Sequence, residues 1–207
     1  MENFIFHTEL KTELQFIIGK ADKLGGVVCL HGVAGCGKTT FAEYFSRLVS
    51  KEVHIFDANS HIFDKSSASN ILKQIKETGR NSLAKFIGDD DDYNTNGFWD
   101  RCFIIDEFHN LSVSRQDAYK VSLERVSKEL NALFILIVNT SKEKPLKKTI
   151  TPAILSRCQT IDFDIKKQHL DEVTELVRER YPVLDDGYIR KTLPDLRQIV
   201  KRANMLS

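Results

Sequence analysis

Short apolar runs alternate along the chain with longer stretches in which apolar residues recur every three or four positions. The short runs predict buried strands, and the longer stretches predict helices with one apolar face. The predicted strands comprise residues 27–31, 53–57, 102–105, 133–139 and 160–163. Strands that alternate with helices are typical of a parallel sheet covered by helices on both faces. The predicted fold class is therefore α/β, with three layers in the order α/β/α.

One predicted helix lies between the third and fourth strands. Tyr119, Leu123, Val126 and Leu130 follow one another at intervals of four, three and four residues, which places them on one helix face. Ser114 and Asp117 form the pattern of an N-terminal capping box, so the helix is predicted to begin there.

The pattern changes after Asp164, because no further strand is predicted. Helical segments are predicted instead over residues 168–180, 186–193 and 195–206. We therefore divide the chain into an α/β domain, residues 1–165, and a helical lid, residues 166–207. A piece of about forty residues is too small to hold a core of its own, so the lid is expected to pack on the sheet domain.

Composition narrows the class of protein. Of 207 residues, 42% are hydrophobic and 29% charged, and the net charge is +1, so any contact with nucleic acid must come from local patches. The N-terminus does not resemble a signal peptide. The longest apolar run, residues 132–138, is far shorter than the ~20 residues of a membrane helix, so a soluble cytoplasmic protein with no membrane contact is expected.

The cysteines and one acidic stretch give weaker indications. The four cysteines are scattered and form no C-x-x-C pair, so we expect reduced thiols that fill the core rather than bind a metal. Residues 88–97, which are acidic and rich in Asn, are predicted to form a surface loop.

The strongest chemical signal lies between the first strand and the helix predicted from Lys38 to about Val49. The sequence there has the G-x-x-x-x-G-K-T pattern of a phosphate-binding loop. Its glycines let the backbone wrap around a phosphate, Lys38 supplies positive charge, and the Thr39 hydroxyl is placed to hold magnesium. ATP and Mg²⁺ are the predicted cofactors. The predicted nucleotide-binding residues are Gly32, Val33, Ala34, Gly35, Cys36, Gly37, Lys38, Thr39 and Thr40.

A second signal ends the third strand, where the apolar run 103–105 is followed by Asp106 and Glu107. Parallel sheets present ligand-binding residues at the carboxyl ends of their strands. Asp106 is predicted to bind magnesium through water, and Glu107 to polarise the attacking water. In isolation, the same pair is an ordinary strand end with capping acids.

Three further residues are candidates because of their positions. Asn139 ends the apolar fourth strand, where an amide can orient water, although an Asn at a strand end is often only a turn residue. Arg157 follows a short helix that Thr151 caps and Pro152 begins; alone, it is a surface charge that favours the helix C-terminus. Arg197 lies in the first turn of the last helix, where the helix dipole opposes a cation unless an anion is bound.

In this order, the motifs resemble those of AAA+ ATPases, and specifically the clamp-loader group. Ser156-Arg157-Cys158 is similar to the S-R-C motif, whose arginine finger enters the ATP site of a neighbouring subunit. Asp195-Leu196-Arg197 is similar to the start of the lid helix, whose sensor 2 arginine touches the γ phosphate, and Asn139 matches sensor 1. Residues 56–60 and 71–77 also resemble clamp-loader segments. The resemblance implies catalytic roles for Lys38, Glu107, Asn139, Arg157 and Arg197, with Arg197 also contacting nucleotide.

The sequence departs from that family at several positions. The usual D-E-A-D reads Asp106-Glu107-Phe108-His109, Pro194 replaces the lid glycine, and Val33 and Ala34 replace two prolines. The sequence given ends after the lid, without the helical collar of cellular clamp loaders. The resemblance therefore implies that ring assembly relies on the ATPase domains or on another protein.

The resemblance implies an ATP-driven switch in DNA replication, whose partners are copies of itself or related AAA+ subunits, DNA, and a sliding clamp or a helicase. A helicase loader would share every motif. A small P-loop kinase is disfavoured by the Asp106-Glu107 pair, a viral helicase by the S-R-C and lid motifs, and a scaffold without turnover by the complete set of catalytic residues. DNA is expected against residues 67–77, through Lys73 and Lys76, and against the basic loop 142–148, although a solvated helix face explains the same lysines.

Overall fold

The computed structural model describes residues 4–59 and 98–206, and within them five parallel strands form one sheet in the order β2-β3-β4-β1-β5. The strands are β1, Val27–Gly32; β2, Ser50–Asp57; β3, Trp99–Asp106; β4, Ala132–Asn139; and β5, Gln159–Asp162. Each predicted strand is present, with bounds that differ from the prediction by at most about three residues.

Helices flank the sheet and form the C-terminal part of the chain. They are α1, Thr8–Gly19; α2, Lys38–Val49; α3, Val113–Leu130; α4, Leu146–Thr149; α5, Pro152–Leu155; α6, Leu170–Arg180; α7, Asp186–Thr192; and α8, Leu196–Leu206. Short 3₁₀ turns cover Ala21–Lys23, Phe108–Asn110 and Lys167–His169. The predicted loop 88–97 and the segment 67–77 with Lys73 and Lys76 lie outside the described residues.

The structure corrects three details of the helices. Helix α1 was not predicted, although Leu10, Leu14 and Ile17 form its buried face. The predicted basic loop 142–148 overlaps the short helix α4, Leu146–Thr149. The capping box predicted at Ser114 was wrong, because Ser112 is the N-cap of α3 and its carbonyl already accepts bonds from Arg115 and Gln116.

The alternation of side chains along the strands divides the sheet's two faces between two cores. One core joins Phe103, Phe134 and Leu136 to Tyr119 and Leu123 of α3. The other core contains the strand residues that alternate with these, such as Ile104 and Ile135, and joins them to α1 and α2. The predicted three-layer architecture is therefore confirmed. All four cysteines are free, and Cys158 alone among them is only partly buried.

Helices α6, α7 and α8 share a third hydrophobic cluster, which includes Val177, Ile189 and Ile199. The expectation that this segment has no core of its own was therefore wrong. The cluster also contacts Ile5 and Ile165, so it is continuous with the N-terminal segment and with the end of the sheet region. Among the described helices, none is long and apolar enough to cross a membrane.

Candidate active site

The loop between β1 and α2 has a backbone that only glycine adopts easily. Gly35 and Gly37 have φ angles of 81° and 95°, and Gly37 is the N-cap of α2. A Cβ atom added to Gly37 would lie 3.0 Å from the ring of Phe6. The first turn of α2 contains no acidic residue, so its free N–H groups and helix dipole favour an anion. The loop therefore has the shape and polarity of a phosphate cradle.

Lys38 lies in the floor of this cradle, and its side chain is only 4% exposed. Its ammonium donates hydrogen bonds to the carbonyls of Gly32 (2.9 Å) and Val33 (2.6 Å), and lies 3.5 Å from the Cys36 sulfur. Burial raises the pKa of Cys36, so this sulfur remains a thiol beside the cation. The geometry fits a phosphate ligand, because an anion attracts a buried ammonium more strongly than neutral carbonyls do.

Two oxygen ligands suited to Mg²⁺ meet where α2 begins and β3 ends. The Thr39 hydroxyl donates to Oδ2 of Asp106 at 3.1 Å. The other carboxylate oxygen of Asp106 accepts the backbone N–H of Glu107 at 2.8 Å, which fixes its orientation. Mg²⁺ prefers hard oxygen ligands and retains several waters, so one hydroxyl and one carboxylate fit its requirements.

Glu107 and Asn139, identified separately in the sequence, are in contact. The Asn139 amide donates to Oε1 of Glu107 at 3.0 Å, from the end of the neighbouring strand β4. Glu107 has a φ angle of 56°, a left-handed backbone that costs a non-glycine residue about 1–2 kcal/mol. This backbone turns the chain sharply after β3 and begins the 3₁₀ turn Phe108–Asn110.

These groups surround a cleft of about 600 Å³, a volume typical of a small-ligand site. Three parts of the chain line it. The sheet side contributes Ala34, Gly35, Gly37, Lys38, Thr39, Thr40, Asp106, Glu107 and Asn139; the N-terminal segment contributes Phe4, Ile5 and Phe6; and the C-terminal helices contribute Arg180, Tyr181, Leu196, Arg197 and Lys201. Arg197 therefore faces the same cleft as Lys38.

Not every predicted residue lines this cleft. Of the described candidates, Gly32, Val33 and Cys36 lie outside the lining, and so does Arg157. Gly32 and Val33 instead supply carbonyls to Lys38. Nη1 of Arg157 donates to the Ala153 carbonyl at 2.7 Å, and its Nε lies 3.3 Å from Oε1 of Glu124 on α3.

The predicted cap of the last helix is present. The Asp195 carboxylate accepts the backbone N–H of Gln198 at 3.1 Å, and the Gln198 amide also donates to that carboxylate at 2.9 Å. The Leu196 N–H donates to the Gly35 carbonyl at 3.0 Å, which attaches this helix directly to the phosphate loop. A Cβ atom on Gly35 would overlap Asp195, so glycine is required for this approach.

Sequence reasoning missed several residues of the site. Oδ1 of Asp164 accepts the Val33 N–H at 2.7 Å and so supports the phosphate loop from the end of β5. Phe4 and Phe6, stacked with centroids 5.1 Å apart, form an aromatic wall. Asp164 follows the strand beside β1, which is a signal that strand-end reasoning can detect. The two phenylalanines carry no local signal of a ligand site.

Comparison with known proteins agrees with this geometry. A family model described as the ATPase family associated with various cellular activities (AAA) matches residues 28–166. No curated protein sequence matches the chain.

Solved structures with a similar fold include the replication initiator DnaA bound to AMPPCP and single-stranded DNA (TM-score 0.58, 15% identity), which aligns with 99% of this chain and 63% of its own. C. elegans PCH-2 has a TM-score of 0.55 and 16% identity, and the match covers 86% of this chain and 50% of PCH-2. The Thermotoga maritima RuvB Holliday junction branch migration motor has a TM-score of 0.51 and 15% identity, and the match covers 88% of this chain and 54% of RuvB. The chain thus spans about half to under two thirds of these proteins, and the identities indicate a shared fold alone.

Proposed function

Because the chain belongs to the AAA family, the ATPases associated with various cellular activities, we propose that it is an ATP-driven molecular switch that acts on DNA during replication. ATP hydrolysis is the activity expected of the family. One observation carries the assignment to this cleft. The Thr39–Asp106 pair and the Asn139–Glu107 pair both border the cleft that Lys38 lines, so a magnesium site and a water-activating carboxylate adjoin one phosphate cradle.

In the proposed mechanism, Lys38 leaves the loop carbonyls to neutralise the β and γ phosphates of ATP. Thr39 and Asp106 would hold the Mg²⁺, which would supply further positive charge to these phosphates. Glu107 orients the attacking water, and Asn139 holds Glu107 through Oε1. Phosphoryl transfer has a loose transition state, so the position of the water matters more than the basicity of the carboxylate.

The wall formed by Phe4 and Phe6, in a cleft that Tyr181 also lines, suits a purine base. Such a wall offers aromatic stacking at a low entropy cost, because each ring has few rotatable bonds. Arg197 follows Leu196, whose backbone is bonded to the phosphate loop, so we propose that Arg197 contacts the γ phosphate. In this proposal, the helices over residues 166–207 act as a lid whose position reports the state of the nucleotide.

We propose that Arg157 serves the active site of a second subunit, either a copy of this chain or a related AAA protein. It lies outside the cleft lining of its own chain, and its guanidinium is held at the end of α5 by Ala153 and Glu124. A site completed by a neighbour couples hydrolysis to assembly. This coupling is the basis of the proposed switch.

The proposed role on DNA depends on the clamp-loader-like S-R-C motif and on fold similarity to DnaA and RuvB, whose structures were determined as a DNA-bound replication initiator and as a Holliday junction motor. A clamp loader that opens a sliding clamp is our first candidate. A helicase loader is the alternative, since it uses the same motifs. The exposed lysines of residues 142–148, together with Lys73 and Lys76, are the proposed DNA contacts.

The experiment that separates these candidates measures the ATPase rate alone and with primed, single-stranded and duplex DNA at a fixed salt concentration. A clamp loader is expected to respond to primed DNA most strongly. Stimulation by single-stranded DNA alone favours the helicase loader. An ATPase rate that none of the three DNA forms changes would contradict the proposed role in replication.

A further inference from the structure

His109 occupies a position between the two residues proposed to control water. It belongs to the 3₁₀ turn Phe108–Asn110, directly after Glu107. Phe108 is fully buried and contacts the ring of Tyr119 on α3, so the turn is anchored in the core. His109 is therefore held beside the cleft by its neighbour, although its own side chain is 18% exposed.

Each ring nitrogen of His109 has a different partner. Nδ1 accepts the backbone N–H of Asn139 at 3.2 Å, and Nε2 lies 3.2 Å from Oε2 of Glu107. Because Nδ1 is an acceptor, the ring proton is on Nε2, which places this N–H beside the carboxylate. A second proton on Nδ1 would oppose the Asn139 N–H, so this geometry requires a neutral imidazole.

The surrounding charges agree with a neutral ring. Burial lowers the pKa of His109; Glu107 and Asp106 raise it, and Lys38 and Lys144 lower it. The burial effect outweighs the nearby carboxylates. At neutral pH, His109 is thus a neutral polar link between the Asn139 backbone and Glu107 rather than an ion-pair partner.

With this link, polar groups surround both carboxylate oxygens of Glu107. The Asn139 amide donates to Oε1 at 3.0 Å, the Asn110 amide donates to Oε2 at 3.4 Å, and Nε2 of His109 lies 3.2 Å from the same Oε2. A glutamate has three rotatable bonds, so one donor restrains one oxygen but leaves the carboxylate free to rotate. Polar groups at both oxygens fix its plane, and Oε1 keeps a lone pair for water.

We propose that His109 is a positioning residue for hydrolysis, which fixes the carboxylate plane of Glu107 by linking it to the backbone of Asn139. This inference rests on the role proposed for Glu107. Misorientation of the water-activating group affects the chemical step, whereas nucleotide binding depends on Lys38 and the loop. Loss of this link should therefore lower kcat and leave the KM for ATP unchanged.

Two variants separate the two halves of the link. In His109→Gln, the terminal amide can replace Nε2–H as the donor to Glu107. In His109→Asn, the side-chain oxygen can replace Nδ1 as the acceptor for Asn139, but the side chain is too short to reach Glu107. We expect His109→Asn to reduce kcat roughly tenfold to a hundredfold, the scale of a misplaced reactive group, while His109→Gln recovers most of the rate.

Controls distinguish positioning from loss of folding. His54→Gln changes another buried histidine. His54 lies in β2, away from the cleft, and stacks on Phe103 of β3, so this variant should leave kcat unchanged. Thermal unfolding of every variant reports whether the protein is folded at the assay temperature. Single-turnover hydrolysis of ATP, measured for each variant and the wild type under the same conditions, isolates the rate of the chemical step.

The outcomes separate this inference from the function on which it rests. Equal losses of kcat in His109→Asn and His109→Gln, no loss in either, or a rise in KM that accounts for the loss would overturn the positioning role. Glu107→Gln is measured in parallel. If Glu107→Gln is inactive while His109→Asn has the wild-type rate, only the inference on His109 fails. If Glu107→Gln hydrolyses ATP normally, the proposed role of Glu107 fails as well.

Discussion

At the scale of single residues, the proposed mechanism assigns the binding of phosphate charge and the positioning of water to two different residues. Lys38 is buried among carbonyls, and its charge is available to phosphate whether or not reaction occurs. Glu107 is held by the Asn139 side chain from the neighbouring strand, and in the proposed mechanism it contributes when water attacks. The distinction matters because only interactions that strengthen in the transition state raise kcat.

Substitution of these two residues should therefore have different results. Lys38→Ala is expected to abolish measurable ATP binding, whereas Glu107→Gln should bind ATP and lose nearly all hydrolysis. Equilibrium binding of a fluorescent ATP analogue, measured with the hydrolysis rate of each variant, tests the difference. Equal nucleotide affinity in wild type and Lys38→Ala would contradict the role of the lysine.

At the scale of elements, α1 connects the sheet to the C-terminal helices. Its inner face enters the core beside α2, and its first residues contact α6. Glu172 of α6 accepts hydrogen bonds from the Thr8 backbone (2.7 Å) and hydroxyl (2.6 Å), and His7 stacks on His169 with centroids 3.6 Å apart. The segment that precedes α1 also supplies Phe4 and Phe6 to the cleft, so the position of α1 affects both the C-terminal helices and the aromatic wall.

Two positions of α1 provide a matched test of this packing. Leu14 is 0% exposed, and Leu14→Ala should lower the free energy of unfolding by about 2–5 kcal/mol, because it removes buried methyl groups and leaves a cavity. Phe16 is 63% exposed, and Phe16→Ala should change the free energy of unfolding by only about 0.5 kcal/mol. Denaturant unfolding of both variants gives the comparison. Similar losses in the two would show that α1 does not pack as described.

At the scale of the whole molecule, one cleft collects residues from the N-terminal segment, from three strand ends and from the C-terminal helices. Arg157 lies outside this cleft, in contact with Glu124. The proposed division of labour makes activity a property of an assembly. Specific activity should then rise with protein concentration.

Arg157 allows a complementation test of that proposal. Arg157→Ala should leave ATP binding nearly intact and reduce turnover by about 10³–10⁵, the contribution of an arginine supplied in trans. Mixed with Lys38→Ala, it should regain partial activity, because some interfaces then combine an intact phosphate loop with an intact arginine. Light scattering checks that the two variants assemble together. A mixture that assembles yet stays inactive would contradict the shared site.

Local sequence patterns were sufficient to predict much of the fold and of the site. The five strands, helix α2, the cap at Asp195 and the residues that end β1, β3 and β4 all follow from hydrophobic period, glycine placement and the strand-end rule. Each of these features leaves a signal within a few residues of the chain. The prediction of the α3 cap failed because two serines compete there, and local pattern does not decide between them.

The sequence by itself therefore determined the fold class, the phosphate loop and the acids after β3. Only the tertiary structure decided which side chains complete the site. Asp164 supports Val33 across 131 positions of sequence, and His109 reaches Asn139 across 30. Phe6 approaches Gly37 because α1 packs beside α2. Such contacts depend on strand order and on helix packing, which arise from burial summed over the whole chain, so no short stretch of sequence encodes them.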